Sequence, residues 1–381
     1  MNIEVEPSIL KWAVESSGWS KDDLIKRLKI SSNVLDSWTT GETKPTLKQL
    51  EDLAKTLKRP LAVFFLSEPP KDKPLPKDYR MLPDKEGKFD KKTILAIRRA
   101  RRLQIISKEL SENLSTNLNK LTATVKQSDD PKKIAEKYRA EFKFDEETQK
   151  KLKSPYEAFN FLRDIIEDKN IIVFQIPMPV EDARGFTLVD DSPAVIVVNS
   201  KDQIEARNFT LMHEFGHVLL NESGVSMPEN ALFAKNVKAL EKWCNDFSSA
   251  FLLPEAIAKK EFSQRKTSLT DTRTLDSLSR TYKVSKAMLL YNMAKLNFLS
   301  KTQYEAIIER YKPAVQKPKE KTKKPIFRQS QDKQCLSEKG QKFASLVSHN
   351  VDKGFITHSE ALDYLSIKSK NLDKVMTKAK K

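Results

Sequence analysis

Two histidines and a glutamate carry the first chemical signal. His213, Glu214 and His217 form the pattern HExxH inside the stretch Arg207–Leu220. On a helix, residues four apart share one face, so both imidazoles can reach a single ion. Glu214 stands one step round, placed to touch a water on that ion rather than to bind in line. Two histidine ligands, a carboxylate base and an open position make up the donor set of a zinc hydrolase. The flanking Leu211, Met212, Phe215, Val218, Leu219 and Leu220 are apolar, so the spacing predicts a buried helix over 202–221. The plain alternative is a buried helix with two hydrogen-bonded histidines. The chain has only 4 His, and two of them fall here.

Two histidines do not complete a zinc site, and a third protein donor is required. Downstream candidates are Glu222, Glu229, Glu241, Asp246 and Glu255. Glu241 fits best. It opens a helical pattern with Leu240, Trp243, Cys244, Phe247 and Phe251 on the apolar side, and Asn245 shares its face one turn later. Glu241 would bind the metal, and Asn245 would accept a hydrogen bond from a ligand histidine and set its tautomer. The alternative for Glu241 is a surface capping residue. Cys244 is a possible soft ligand, but its apolar neighbours point to a core thiol.

These residues need elements to hold them. Ile171–Phe174, Gly185–Val189 and Ala194–Val198 have the β-branched and aromatic content of three strands, the last ending at Asn199. A helical section over 131–170 precedes them. A long helix is expected over 91–125, with Arg98, Arg99, Arg101 and Arg102 as a solvated basic face or a nucleic-acid contact. Arg207 is a candidate oxyanion donor, but it suits better a structural role between the start of the HExxH helix and the sheet.

Near the N-terminus, residues 8–60 read as several short helices. Ser20 caps one that carries Leu24, Ile25 and Leu28; Val34, Leu35 and Trp38 line the next; Gly41 stops it; Pro45-Thr46 starts another. The spacing predicts a helix-turn-helix with 32–39 as its second helix. Exposed positions there are Ser32, Asn33, Asp36, Ser37, Thr39 and Thr40. None is basic, Asp36 would repel phosphate, and Asn33 is the natural base reader. Lys21, Lys26, Arg27 and Lys29 would grip the backbone. The candidate DNA contacts are Lys26, Arg27, Ser32, Asn33 and Ser37, with a protein-binding module as the alternative.

Composition narrows the class. At 381 residues with 39% hydrophobic and 32% charged residues, the chain suits two or three globular domains. It has no run of apolar residues long enough to span a bilayer. Its first residues lack the apolar core of a signal peptide, and Cys244 and Cys335 make no disulfide framework. A cytoplasmic protein with no membrane partner is expected. Net charge is +17. Residues 312–381 hold 17 Lys and Arg against 7 Asp and Glu, a net +10, which would attract polyanions or simply solvate a tail. The expected boundaries are 1–68 for the helix-turn-helix, 69–90 for a Pro-rich linker, 91–311 for the metal-binding domain, 312–332 for a Lys/Pro-rich linker and 333–381 for a small helical region. His349 and His358, in that last part, read as surface or packing residues.

Two resemblances cover residues 8–310. The stretch from Asp23 to Pro70, with Trp38, Gly41, Pro45-Thr46, Gln49-Leu50 and Leu53-Ala54 in frame, resembles the XRE (lambda-repressor-like) helix-turn-helix. The segments ARNFTLMHEFGHVLL and EKWCNDFSSAFLLPEAI resemble the ImmA/IrrE metallo-endopeptidases, whose pattern is RxxFTxxHExGHxxL followed by ExxANxFAxxLLMP. Residues 272–300 also resemble that family's helical C-terminal part. Cys244 and Ser248 stand where Ala is usual, and Leu253 where Met is usual. The resemblance implies an α+β fold, mostly helical: an N-terminal helix-turn-helix bundle, a gluzincin-like protease domain with a small sheet, and a helical extension. It implies Zn2+ on His213, His217 and Glu241, with Glu214 as catalytic base. It also implies cleavage of a repressor- or antitoxin-like protein substrate in stress, phage or mobile-element control. The alternative is a DNA-binding regulator or antitoxin with a toxin partner, in which the zinc domain is a binding scaffold. A third reading has the metal merely stabilise the domain.

Overall fold

The computed structural model describes residues 3–70, 89–116, 125–223, 225–226, 239–311 and 330–380. Most of both expected linkers, 69–90 and 312–332, and Glu229 lie outside these residues. The chain separates into two compact units, one up to Arg99 and the other from Ala100 on.

The first unit is helical. Its helices are α1 (Pro7–Glu15), α2 (Lys21–Leu28), α3 (Ser32–Thr40) and α4 (Leu47–Leu57). The expected punctuation is present. Ser20 accepts a hydrogen bond from the Asp23 amide, Thr46 and Gln49 form a capping box, and Gly41 ends α3 at φ 85°. Each helix contributes one apolar face to a core around Ile9, Leu24, Leu35, Trp38, Leu50 and Phe64. The start of α5 (Lys91–Asn113) also belongs here, with Lys91 over the Trp19 ring at 3.6 Å.

The remainder of α5 belongs to the second unit. Of its arginines, Arg101 is largely covered while Arg102 stays exposed. Arg98 donates to the Leu57 carbonyl within the first unit; within the second, Arg101 pairs with Asp190 at 2.7 Å and Arg102 with Asp363 at 2.6 Å. The acids that Arg101 and Arg102 meet are close to them only in the fold, which no local pattern reveals.

Next come α6 (Pro131–Glu141), α7 (Glu146–Lys151) and α8 (Pro155–Glu167), then β1 (Ile172–Ile176), β2 (Gly185–Leu188) and β3 (Val195–Asn199). The HExxH segment is α9 (Ile204–Leu219), followed by the short β4 (Val225–Ser226) and α10 (Ala239–Leu252). The strands lie in the order β1-β3-β2-β4. β1 and β3 are parallel, with Phe174 opposite Val197, while β2 runs antiparallel to both β3 and β4. Every residue of β1, β2 and β3 is buried. That explains their largely apolar composition without alternation, since both faces are covered. Val173, Ile196 and Val198 join the core that includes Leu211, Met212 and Phe215 of α9. Phe174, on the other face of the pleat, meets Phe343 at 5.4 Å, edge to face.

The helices α11 (Glu255–Gln264), α12 (Thr272–Tyr282), α13 (Lys286–Lys295) and α14 (Lys301–Ile308) follow. The last group, α15 (Gln331–Lys339), α16 (Gln341–Asp352), α17 (His358–Leu365) and α18 (Leu372–Ala379), sits in the same unit as the sheet, and α15 packs on β1. Buried Arg163 of α8 donates to the carbonyls of Val173, Ser337 and Leu336 at 2.6, 2.8 and 3.2 Å. Gly340 joins α15 to α16 at φ 85°, and a Cβ there would stand 2.3 Å from Glu167 Oε1. His349 and His358 are both exposed on this part.

Candidate metal centre

Helix α9 is buried on every side from Asn208 to Leu219. Arg207 fixes where it starts. Its Nε donates to the Asp202 carbonyl at 2.8 Å, one terminal nitrogen to Gln175 Oε1 at 3.1 Å, and the other to the Ser200 carbonyl. Arg207 therefore ties the helix to the sheet, and its donors are spent there rather than on an oxyanion.

The fold brings His213, His217 and Glu241 to one point. The two Nε2 atoms are 3.2 Å apart. Glu241, in the first turn of α10, places Oε2 3.3 Å from His213 Nε2 and Oε1 3.1 Å from His217 Nε2. All three side chains are buried, so Glu241 is no surface cap. Three donors about 2.0–2.1 Å from a tetrahedral ion stand about 3.3–3.4 Å apart, so this nitrogen, nitrogen and carboxylate set matches a small divalent ion. Two other carboxylate candidates are engaged elsewhere. They are Asp246, which meets Lys295, and Glu255, which meets Lys132 and Lys259.

Close approach of α10 to α9 depends on Gly216. A Cβ there would meet Cys244 Sγ at 3.3 Å and Phe247 Cδ1 at 3.4 Å. This crossing decides which residue faces the histidines. Cys244, three residues after Glu241, groups with His213 and His217, with ligand atoms within 4.8 Å of one another. The thiol is in the core as expected, yet it also belongs to the site. Asn245 corrects the expectation made for it. It is buried, but its Oδ1 has no hydrogen-bond partner among the described residues, so no ligand histidine bonds to it. It is Cys244, one residue earlier, that faces Gly216 of α9.

Charge in the pocket is balanced toward a cation. Burial opposes a proton on His217, but Cys244 and Glu241 outweigh it and hold His217 well above the usual histidine range. Burial pushes the Cys244 thiol up, with His217 opposing. The buried Glu241 carboxylate beside the imidazoles favours a positive charge there, whether proton or metal.

Glu214 lies beside this point on the sheet side. Thr187 of β2 donates its hydroxyl to Glu214 Oε2 at 2.6 Å and approaches the Glu214 carbonyl at 3.2 Å. Gly185, two residues earlier, gives the carboxylate room: a Cβ there would sit 3.0 Å from Glu214 Oε1 and 2.8 Å from the Val197 carbonyl. The sequence reading missed both residues. A glycine opening an apolar strand is the signal that could have found them, because it marks close approach of another group.

In the first unit, Lys26, Arg27, Ser32 and Asn33 are exposed. Ser37 is not a clear reader, since its hydroxyl is held by the Val34 carbonyl at 3.0 Å and by Thr43 at 2.6 Å. Asp36 pairs with Lys21 at 2.6 Å, both side chains about half exposed.

Residues 166–294 match the family model described as the IrrE N-terminal-like domain, a peptidase family, and residues 10–64 match the model described as helix-turn-helix. No curated protein and no solved structure matches the chain. No helix among the described residues is long and apolar enough to cross a membrane. One chain thus carries a match to a helix-turn-helix domain ahead of a match to the IrrE N-terminal-like domain of a peptidase family.

Proposed function

We propose that this protein is a zinc-dependent endopeptidase that cleaves a repressor- or antitoxin-like regulatory protein, with its helix-turn-helix as the targeting module. The convergence of His213, His217 and Glu241 beside a positioned Glu214 carries the reading. His213, His217 and Glu241 would hold zinc, which would supply a lowered pKa for a bound water and polarisation of the scissile carbonyl. Glu214 takes the water's proton and delivers it to the leaving amine. Thr187 holds the Glu214 carboxylate in the orientation this transfer needs. Burial of the three ligands excludes competing bulk water and strengthens their charges. Lys26, Arg27, Ser32 and Asn33 supply the exposed polar surface for DNA.

A scaffold in a toxin–antitoxin pair needs zinc ligands but has no use for an oriented base. The Thr187–Glu214 contact therefore favours the enzyme. Replacing Glu214 by Gln should leave zinc content and fold intact and abolish cleavage of a co-expressed partner. If the variant acts on its target as well as the wild type does, proteolysis is not the function.

A further inference from the structure

The site holds one donor more than a hydrolytic centre requires. Cys244 is fully buried, three residues after Glu241 and on the side of α10 that crosses α9. Its Sγ lies within 4.8 Å of ligand atoms on both His213 and His217. A thiolate and an imidazole nitrogen on one tetrahedral zinc stand about 3.5 Å apart, so a shift of about an ångström brings sulfur into the coordination sphere. Gly216 opposite leaves the space, since any Cβ there would press on the sulfur. Thiolate is also the softest donor in the pocket and competes well for zinc.

We propose that Cys244 is a fourth protein donor to the metal and that the thiolate-bound centre is a closed, hydrolytically silent form. The inference rests on the metallopeptidase reading above. With His213, His217, Glu241 and Cys244 all bound, every tetrahedral position is filled by protein, as in structural zinc sites. On closing, the metal releases one water and the thiol gives its proton to solvent. On opening, the thiolate takes a proton back and water returns. No electron moves in either direction. Such a centre stays silent until a substrate or a shift of α10 displaces the sulfur.

Cobalt(II) tests this, because a thiolate ligand gives it an intense near-ultraviolet charge-transfer band that nitrogen and oxygen donors do not. The full-length protein loaded with cobalt should show that band together with visible d–d bands. Cys335→Ala, a change at the other cysteine, should keep the band. Cys244→Ala should lose it, keep the d–d bands, and cleave its partner faster than wild type. A cobalt-loaded wild type with d–d bands and no charge-transfer band overturns the proposal, as does a band that survives Cys244→Ala. Cleavage by Cys244→Ala no faster than wild type overturns the silent form. A protein that takes up no cobalt, seen as missing d–d bands, overturns the metallopeptidase reading itself. The wild-type spectrum decides the ligation even if the variant does not fold.

Discussion

Replacing Thr187 by Val isolates the support of the base. Thr187 is fully buried and donates its one hydroxyl hydrogen to Glu214 Oε2 at 2.6 Å. Valine has nearly the same shape, so no cavity opens, and what disappears is the donor. Losing a hydrogen bond to a charged group costs about 1.5–3 kcal/mol, and here the carboxylate is itself buried. His213, His217 and Glu241 are untouched, so zinc content should stay at the wild-type level. If the bond aligns Glu214 for proton transfer, the loss falls on kcat rather than KM. At about 1.4 kcal/mol per factor of ten, kcat should fall roughly ten- to a hundred-fold. The assay is steady-state cleavage of the partner retained by Glu214→Gln, with zinc measured on the same preparations. Thr187→Ser restores the hydroxyl and should recover most of the rate. A valine variant that keeps its zinc and turns over at the wild-type rate would refute the assignment.

Other outcomes follow from the same geometry. Gly185→Ala puts a Cβ 2.6 Å from Thr210 Cγ2 and 2.8 Å from the Val197 carbonyl, so overpacking should cost about 1–3 kcal/mol and displace Glu214, read as a lower denaturation midpoint and slower cleavage; an unchanged midpoint would contradict it. Arg163→Met removes three hydrogen bonds to carbonyls and leaves Glu167 buried without its cation, at a cost of about 3–5 kcal/mol. Thermal melting should show it, and proteolysis should reach 330–380 sooner than in wild type. Lys132 and Lys259 depress the Glu255 carboxyl to about 2. Its stabilising contribution should be complete above the ordinary value of 4.5 and fade only as pH falls through the depressed one, and an NMR titration midpoint near 4.5 would count against these ion pairs.

The chemistry of the site was legible because it is written in local spacing. HExxH puts two imidazoles and a carboxylate on one helix whatever surrounds it, and the apolar residues between them state that the helix is buried. The three main strands, the capping of α2 and α4 and the stop at Gly41 are likewise local, set by side-chain periodicity and by the few residues that tolerate each backbone turn. Glu241 could be singled out because it opens an apolar helical pattern with Asn245 on its own face one turn later. Tertiary structure decided what depends on how separate elements meet. The crossing of α10 over Gly216 put Cys244, not Asn245, against His217. The strand order set Gly185 and Thr187 under Glu214, and the folding back of 330–380 onto β1 made a distal segment part of the sheet's cover. Contacts between segments far apart in the chain leave no period in the sequence, because each side chain satisfies a neighbour that only the completed fold supplies.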